Sequence, residues 1–283
     1  MSNKDITLAE AVSFAVEAAK QRNLRPRYVK SVMGYLERFS EGRGNRPIRT
    51  ITAQDIDEFL ANRKPVTRKG IAGRLGNLFA YAVRKRFIQE NPMAYIERVT
   101  VELGTPKILE VRQAASLLEF TRANCPRVLA YLTLCLFAGL RPAEAQRIIW
   151  ANVNLEHGLI RVDPGSSKIR SRRRFVTILP ATAAWLNIST REESLPLKQC
   201  TLTRWHAKAS GHLGWANWSQ DVLRHSAASY LLASSNDEGR VATQLGTSAT
   251  MLRRHYVSLI TPDQSAAFFA IRPRNDKQLE MNL

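Results

Sequence analysis

Acidic side chains are scarce in this chain of 283 residues: 24 Asp and Glu stand against 42 Lys and Arg, for a net charge of +18 and a pI near 10.4. A field of that sign draws polyanions, of which nucleic acid is the commonest large one; the alternative is a basic protein whose charge only keeps it dispersed. Cysteine is scarce as well. Cys125, Cys135 and Cys200 are odd in number and share neither a pairing nor a metal-ligand spacing, and Cys135, inside the apolar run 132–137, reads as core. No apolar run reaches the ~18 residues of a membrane span and no lipidation signal is present, so no membrane partner is expected. A secretory signal is also missing: Met1-Ser-Asn-Lys4 leads straight into an amphipathic helix, and a reducing cytoplasm is the expected location. Neither internal repeats nor low-complexity tracts occur.

What is present supports a folded protein of two parts. Hydrophobic residues make up 45% of the chain, enough for a core, and its length suits one large domain or two of roughly 100–200 residues. The first hundred residues read as a small all-helical domain. Thr7-Leu-Ala-Glu10 is a capping box opening a helix to about residue 20. A second helix over 26–39 places Val29, Val32, Met33 and Leu36 on one face. After the turn-rich Glu41-Gly-Arg-Gly-Asn-Arg-Pro47, Thr52 caps a short helix holding Ile56, Phe59 and Leu60. A fourth helix from about Thr67 buries Ile71, Leu75, Leu78, Phe79 and Ala82, and Asn91-Pro92 is expected to stop it.

The polar face of that fourth helix carries Arg68, Lys69, Arg74, Arg84, Lys85 and Arg86. A solvated face is the usual meaning of a charge run. Here almost every charge is positive, without the acidic partners that i,i+4 pairing would supply, which favours a phosphate-contacting face. Residues 101–107 look like an extended linker. Helical segments over 111–124 and 128–137 follow, then a turn and a short helix from Pro142. Strand-like stretches at 158–162 and 174–179 are joined by a basic connection; Trp185, a polar segment and further helices from about Asp221 complete the chain. The expected fold is mainly α with a small antiparallel β-sheet, divided into residues 1–100, a linker at 101–107 and a second domain over 108–283.

Five positions in the second half, Arg141, Lys168, Asp221, Arg224 and Tyr256, form a mostly basic set that closes on a lone tyrosine. Phosphoryl transfer places extra negative charge on the non-bridging oxygens, so a metal-free site needs a cationic clamp. Arginine suits this task because its planar fork donates to two oxygens and stays charged. Arg141 stands between the turn at Gly139-Leu140 and Pro142, at a loop-to-helix junction; alone it reads equally as an exposed loop arginine. Glu144, near the start of the same helix, either orients an arginine or only complements the helix dipole. Arg224 lies flush against the apolar stretch 227–233, where a charge is either partnered or functional. Lys168 sits in Asp163-Pro-Gly-Ser-Ser-Lys-Ile-Arg-Ser-Arg-Arg-Arg174, at a hairpin tip suited to a DNA groove, and Arg170 and Arg172 could share its phosphate contacts.

In order and spacing, Gly139-Leu-Arg-Pro-Ala-Glu144, Ser166-Ser-Lys168, Asp221-Val-Leu-Arg-His225, Leu245-Gly-Thr-Ser248 and Arg254-His-Tyr256 resemble the tyrosine recombinase (phage integrase) family. The first hundred residues, closing on Arg86-Phe-Ile-Gln-Glu-Asn-Pro92, resemble that family's core-binding domain. The resemblance implies that Arg141 and Arg224 clamp a scissile phosphate and that Lys168 protonates the departing 5′ oxygen. Tyr256 would be the nucleophile that forms a 3′-phosphotyrosyl link. It further implies double-stranded DNA as partner and a synaptic tetramer, with the tail at 266–271 packed on a neighbouring subunit. Because the covalent link conserves bond energy, neither ATP nor a metal is implied. Two slots depart from the family pattern. Asp221 occupies the place of the box histidine, where it would repel a phosphate or accept the tyrosine proton. Thr247 occupies the place of a His or Trp and offers one neutral hydrogen bond. A relative that holds DNA without cutting it, and an unrelated basic helical repressor, are the alternative readings.

Overall fold

The computed structural model describes residues 6–274 except 23, 25, 102–103, 105, 164–172, 192–193, 236 and 257–259, and for Arg27, Arg254, His255 and Tyr256 the backbone alone. The described residues form two compact units, one within 6–101 and one from 104 onward.

Four helices build the first unit: α1 (Leu8–Gln21), α2 (Pro26–Ser40), α3 (Ala53–Ala61) and α4 (Pro65–Arg84). The Thr7 and Glu10 side chains and backbones close a reciprocal capping box on α1, with the Thr7 N–H donating to Glu10 at 2.9 Å. Thr52 and Asp55 do the same on α3. Each box satisfies amide groups that a helix start leaves without partners. Leu8, Leu36, Phe39, Ile56, Leu60, Ile71, Leu75, Leu78 and Phe79 are fully buried in the core.

Helix α4 begins at Pro65, in the first-turn position that proline favours. It stops at Arg84, well before Asn91-Pro92, which corrects the expected boundary. The Arg86 N–H bonds the Val83 carbonyl and the Phe87 N–H bonds the Ala82 carbonyl, both at 2.9 Å. Arg86 itself adopts φ +59°. This is the two-bond C-terminal motif usually closed by glycine, so the stop is built by backbone hydrogen bonds rather than by the later proline.

The second unit runs α5 (Val111–Asn124), α6 (Pro126–Leu136), α7 (Pro142–Ala145), β1 (Val153–Asn154), β2 (Leu159–Val162), β3 (Arg174–Thr177), α8 (Pro180–Asn187), α9 (Gln199–His212), α10 (Val222–Ser234), α11 (Glu238–Leu245), α12 (Ala249–Tyr256) and α13 (Pro262–Phe269). The three strands pair antiparallel in chain order, with Ile160 opposite Val176. Helix α6 is buried along nearly its whole length and forms the centre of the unit. The mainly helical fold with one small antiparallel sheet agrees with the sequence expectation. Three elements escaped it, among them α8, of which only Trp185 was singled out. Strand β1 is only two residues long, and α9 reads as polar because Leu202, Trp205 and Ala209, at spacings of three and four, are its main apolar anchors.

Residues 266–271 pack on their own unit: the Phe268 ring stacks on Tyr230 at 3.9 Å and lies 5.2 Å from Phe137. The Ser265 hydroxyl donates to the Tyr230 carbonyl at 2.7 Å, and the Trp185 indole N–H donates to the Ile271 carbonyl at 3.3 Å.

Candidate active site

Helix α11 ends on Leu245, and Gly246 follows at φ +63°. The Gly246 N–H bonds the Thr243 carbonyl and the Thr247 N–H bonds the Ala242 carbonyl. The next three carbonyls, which have no helical partner of their own, each take an arginine. Arg174 Nε donates to Gln244 at 3.2 Å, Arg224 Nη2 to Leu245 at 2.8 Å, and Arg141 Nη2 to Gly246 at 2.7 Å. A helix C-terminus concentrates partial negative charge, so it is a natural anchor for cations. Three guanidiniums from separate parts of the chain thus converge on one helix end.

The approach is close because two glycines permit it. Gly139 adopts φ +68°, and a Cβ there would collide with Leu245 Cδ2. Its carbonyl accepts a second bond from Arg224, through Nη1, at 2.6 Å. At Gly246 a Cβ would lie 2.8 Å from the Arg174 guanidinium carbon. Arg224 is 5% exposed, whereas the Arg141 side chain is 43% exposed. The buried arginine is fixed by carbonyls and the other presents an edge to solvent.

Glu144 links two of the three. Its Oε1 accepts from Arg141 Nη1 at 3.2 Å and Arg174 Nη1 at 3.0 Å. Its Oε2 accepts from the Arg141 backbone N–H at 3.0 Å and Arg174 Nη2 at 2.7 Å. Burial alone would push this carboxyl up; the Arg174 and Arg141 guanidiniums, with the Arg141 N–H, outweigh it and hold the group at about 2. Of the two sequence readings of Glu144, the arginine-orienting one is therefore realised in the geometry.

Asp221 is the N-cap residue of α10, at φ +60°, a left-handed conformation that aspartate tolerates better than most residues. Its side chain makes no capping bond. Burial raises the fully buried Cys135 thiol, on which Arg224, Asp221 and Glu144 also act electrostatically. Thr247 is half-buried beyond the end of α11. The structure ends α12 on Tyr256 and describes only its backbone, so the meeting of its phenol with the arginines lies outside the described residues. Arg253, three residues before the tyrosine, pairs with Glu238 at 2.7 Å, both side chains being exposed. Lys168, Arg170 and Arg172 also lie outside the described residues.

The basic face of α4 is mixed. Lys69, Arg84 and Lys85 are exposed. Arg68 has an acidic neighbour after all, Asp57 of α3 at 3.5 Å. Arg74 is engaged within the bundle, donating to the Gly70 carbonyl at 2.6 Å and the Ser31 hydroxyl at 3.2 Å and lying over the Tyr35 ring. Counting partners only along one helix overlooked both contacts. Among the described residues, no group of His, Cys, Asp and Glu could hold a metal ion and no helix is long and apolar enough to cross a membrane.

Sequence reasoning missed Arg174 as a site residue and took it only as a strand start. The available signal was alternation: Arg174 and Val176 share one face of β3, and Val176 is buried.

Comparison with known proteins identifies the family and the fold. Tyrosine recombinase XerC of Alcanivorax borkumensis is 26% identical over 309 aligned residues, covering 98% of both chains. A lambda integrase dimer bound to a COC′ core site superposes with a TM-score of 0.74 at 16% identity, covering 90% of this chain and 97% of that one. A lambda integrase tetramer bound to a Holliday junction gives 0.72 at 16% identity, over 88% and 78% of the two chains. At that identity the structural likenesses establish the fold. Residues 107–260, more than half of the chain, match the phage integrase family, and the chain belongs to that family of tyrosine recombinases.

Proposed function

We propose that the protein cuts and rejoins DNA strands at specific sites, using Tyr256 as nucleophile and passing through a 3′-phosphotyrosyl intermediate. The observation that carries the reading is the convergence of Arg141 and Arg224 on the adjacent carbonyls of Gly246 and Leu245. Two guanidiniums fixed about one helix end supply the preorganised positive charge that a phosphodiester needs as its non-bridging oxygens gain charge. The helix after that end carries Tyr256 as its last residue. In the reaction, the Tyr256 hydroxyl releases its proton to water or to Asp221 as its oxygen bonds to phosphorus, the bond from phosphorus to the 5′ oxygen breaks, and Lys168 protonates the departing oxygen. Attack by the 5′ hydroxyl of a partner duplex reverses these steps and releases the tyrosine. Neither step consumes ATP or requires a metal.

Duplex DNA held by both units is the substrate in this reading, with Lys69, Arg84 and Lys85 on the exposed face of α4 as phosphate contacts. A tetramer is the working assembly, as in the lambda integrase tetramer bound to a Holliday junction. Asp221 and Thr247 favour a second reading, a binder that holds DNA without cutting it. A library of nicked duplexes with a randomised core separates the two. Strand exchange predicts denaturant-resistant protein–DNA adducts enriched for one sequence; binding without adducts supports the second reading.

A further inference from the structure

Arg174 lies outside the motif series, yet it makes the shortest contact to the carboxylate shared by two of the arginines. Its side chain is 13% exposed and meets both Glu144 oxygens, at 2.7 and 3.0 Å. Arg141, 43% exposed, reaches only one of those oxygens with its guanidinium, at 3.2 Å. A bidentate, shielded pair carries more of the attraction than a single, longer, solvent-facing bond. Two guanidiniums around one carboxylate leave one net positive charge. The unequal distances place that charge on the exposed member.

We propose that Arg174 is a positioning residue: its guanidinium neutralises Glu144, so that the Arg141 charge stays available to an incoming phosphodiester. This inference rests on the strand-exchange reading above. Without Arg174, Glu144 would turn its full charge on Arg141, and the clamp would meet a phosphate already paired. The third bond of Arg174, from Nε to the Gln244 carbonyl, keeps its guanidinium against the same helix end that anchors Arg141. A purely structural Arg174 would tie β3 to α11 without affecting how the site responds to phosphate charge.

The test measures single-turnover adduct formation on the nicked duplex recovered from the randomised library, with the same duplex carrying a neutral methylphosphonate at the scissile position as companion. Wild type is compared with Arg174→Gln, Arg174→Lys, Arg141→Ala and the double variant Arg174→Gln/Glu144→Gln, each confirmed as folded at the assay temperature. On the phosphate, Arg174→Gln should slow the reaction by about tenfold or more, a fraction of what full loss of a transition-state donor costs. Arg174→Lys, which keeps the charge, should stay within about threefold of wild type, and the double variant should regain most of the loss because no carboxylate remains to neutralise Arg141. On the methylphosphonate, Arg174→Gln should fall by less than about twofold, since the clamp has little charge to stabilise there. A phosphate rate for Arg174→Gln within about twofold of wild type, or a double variant no faster than the single one, overturns the proposal. The double variant leaves no unpaired buried carboxylate, so it decides the matter if Arg174→Gln does not fold. A rate within about fivefold of wild type then supports the assignment, and a lower one overturns it. If wild type forms no adduct, the strand-exchange reading fails first and this inference falls with it.

Discussion

Arg224 donates to the Leu245 carbonyl at 2.8 Å, although 21 residues separate the two in the chain. The same guanidinium bonds the Gly139 carbonyl at 2.6 Å, so one buried side chain joins the start of α10, the end of α11 and the turn that precedes Arg141. The arginine proposed to clamp the phosphate is thus also a structural fastener.

That double duty separates the two clamp arginines experimentally. Arg224→Ala would leave two carbonyls in a buried setting without their donor, each worth about 1–3 kcal/mol. It should lower unfolding stability by at least about 2 kcal/mol in urea titration and also abolish most cleavage. Arg141→Ala removes a half-exposed pair and should cost less than about 1 kcal/mol, while slowing cleavage on the order of 10²–10³. Equal stability losses in the two variants would contradict this division.

Gly139→Ala tests the close approach itself. Positive φ costs an L-residue about 1–2 kcal/mol, and the new methyl would collide with Leu245. The variant should unfold at lower urea concentration, with a loss of at least about 2 kcal/mol. It should also cleave more slowly, since displacing Leu245 moves a carbonyl that fixes Arg224. A variant as stable as wild type would show that the turn is not constrained as described.

Glu144 makes the fold acid-sensitive in a defined window. Its folded-state value of about 2 lies below the ordinary 4.5. A depressed carboxyl stabilises the fold above its unfolded value, and that contribution is lost as pH falls through the folded one. Melting temperatures of wild type and Glu144→Gln should therefore differ most above pH 4.5 and converge toward pH 2. Parallel curves over that range would exclude a charged Glu144 as the cause.

The two departures from the family pattern can be tested by replacement. Histidine tolerates the left-handed backbone at Asp221 better than most residues, so Asp221→His is sterically reasonable at φ +60°. If both slots lack a phosphate donor, Asp221→His and Thr247→His should each speed single-turnover cleavage by about tenfold, or ~1.4 kcal/mol off the barrier. If Asp221 instead accepts the tyrosine proton, Asp221→His should slow cleavage at low pH, where histidine is already protonated. Unchanged rates across pH would exclude both roles.

The sequence carried the local features of the fold plainly. Thr7, Glu10 and Thr52 mark helix starts because capping is decided within four residues, and the apolar spacing of α4 fixes which face is buried. The end of α4 was less legible, because Arg86 stands where a glycine would have announced the stop. In the site, Arg141 and Arg224 were visible through their motifs. Their anchoring on the α11 carbonyls depends on contacts 105 and 21 residues apart, which local pattern does not encode. Arg174 was hidden inside a basic run, where only strand alternation distinguishes it, largely buried, from the exposed Arg173.

In the proposed reaction Tyr256 takes the DNA strand. Adducts trapped on the selected nicked duplex should be digested with nuclease and trypsin, and the peptide bearing the residual nucleotide sequenced by mass spectrometry. The nucleotide should sit on the Tyr256 oxygen through a 3′ phosphate, and Tyr256→Phe should give no adduct. A nucleotide attached to any other residue, or an adduct that survives in Tyr256→Phe, would contradict it.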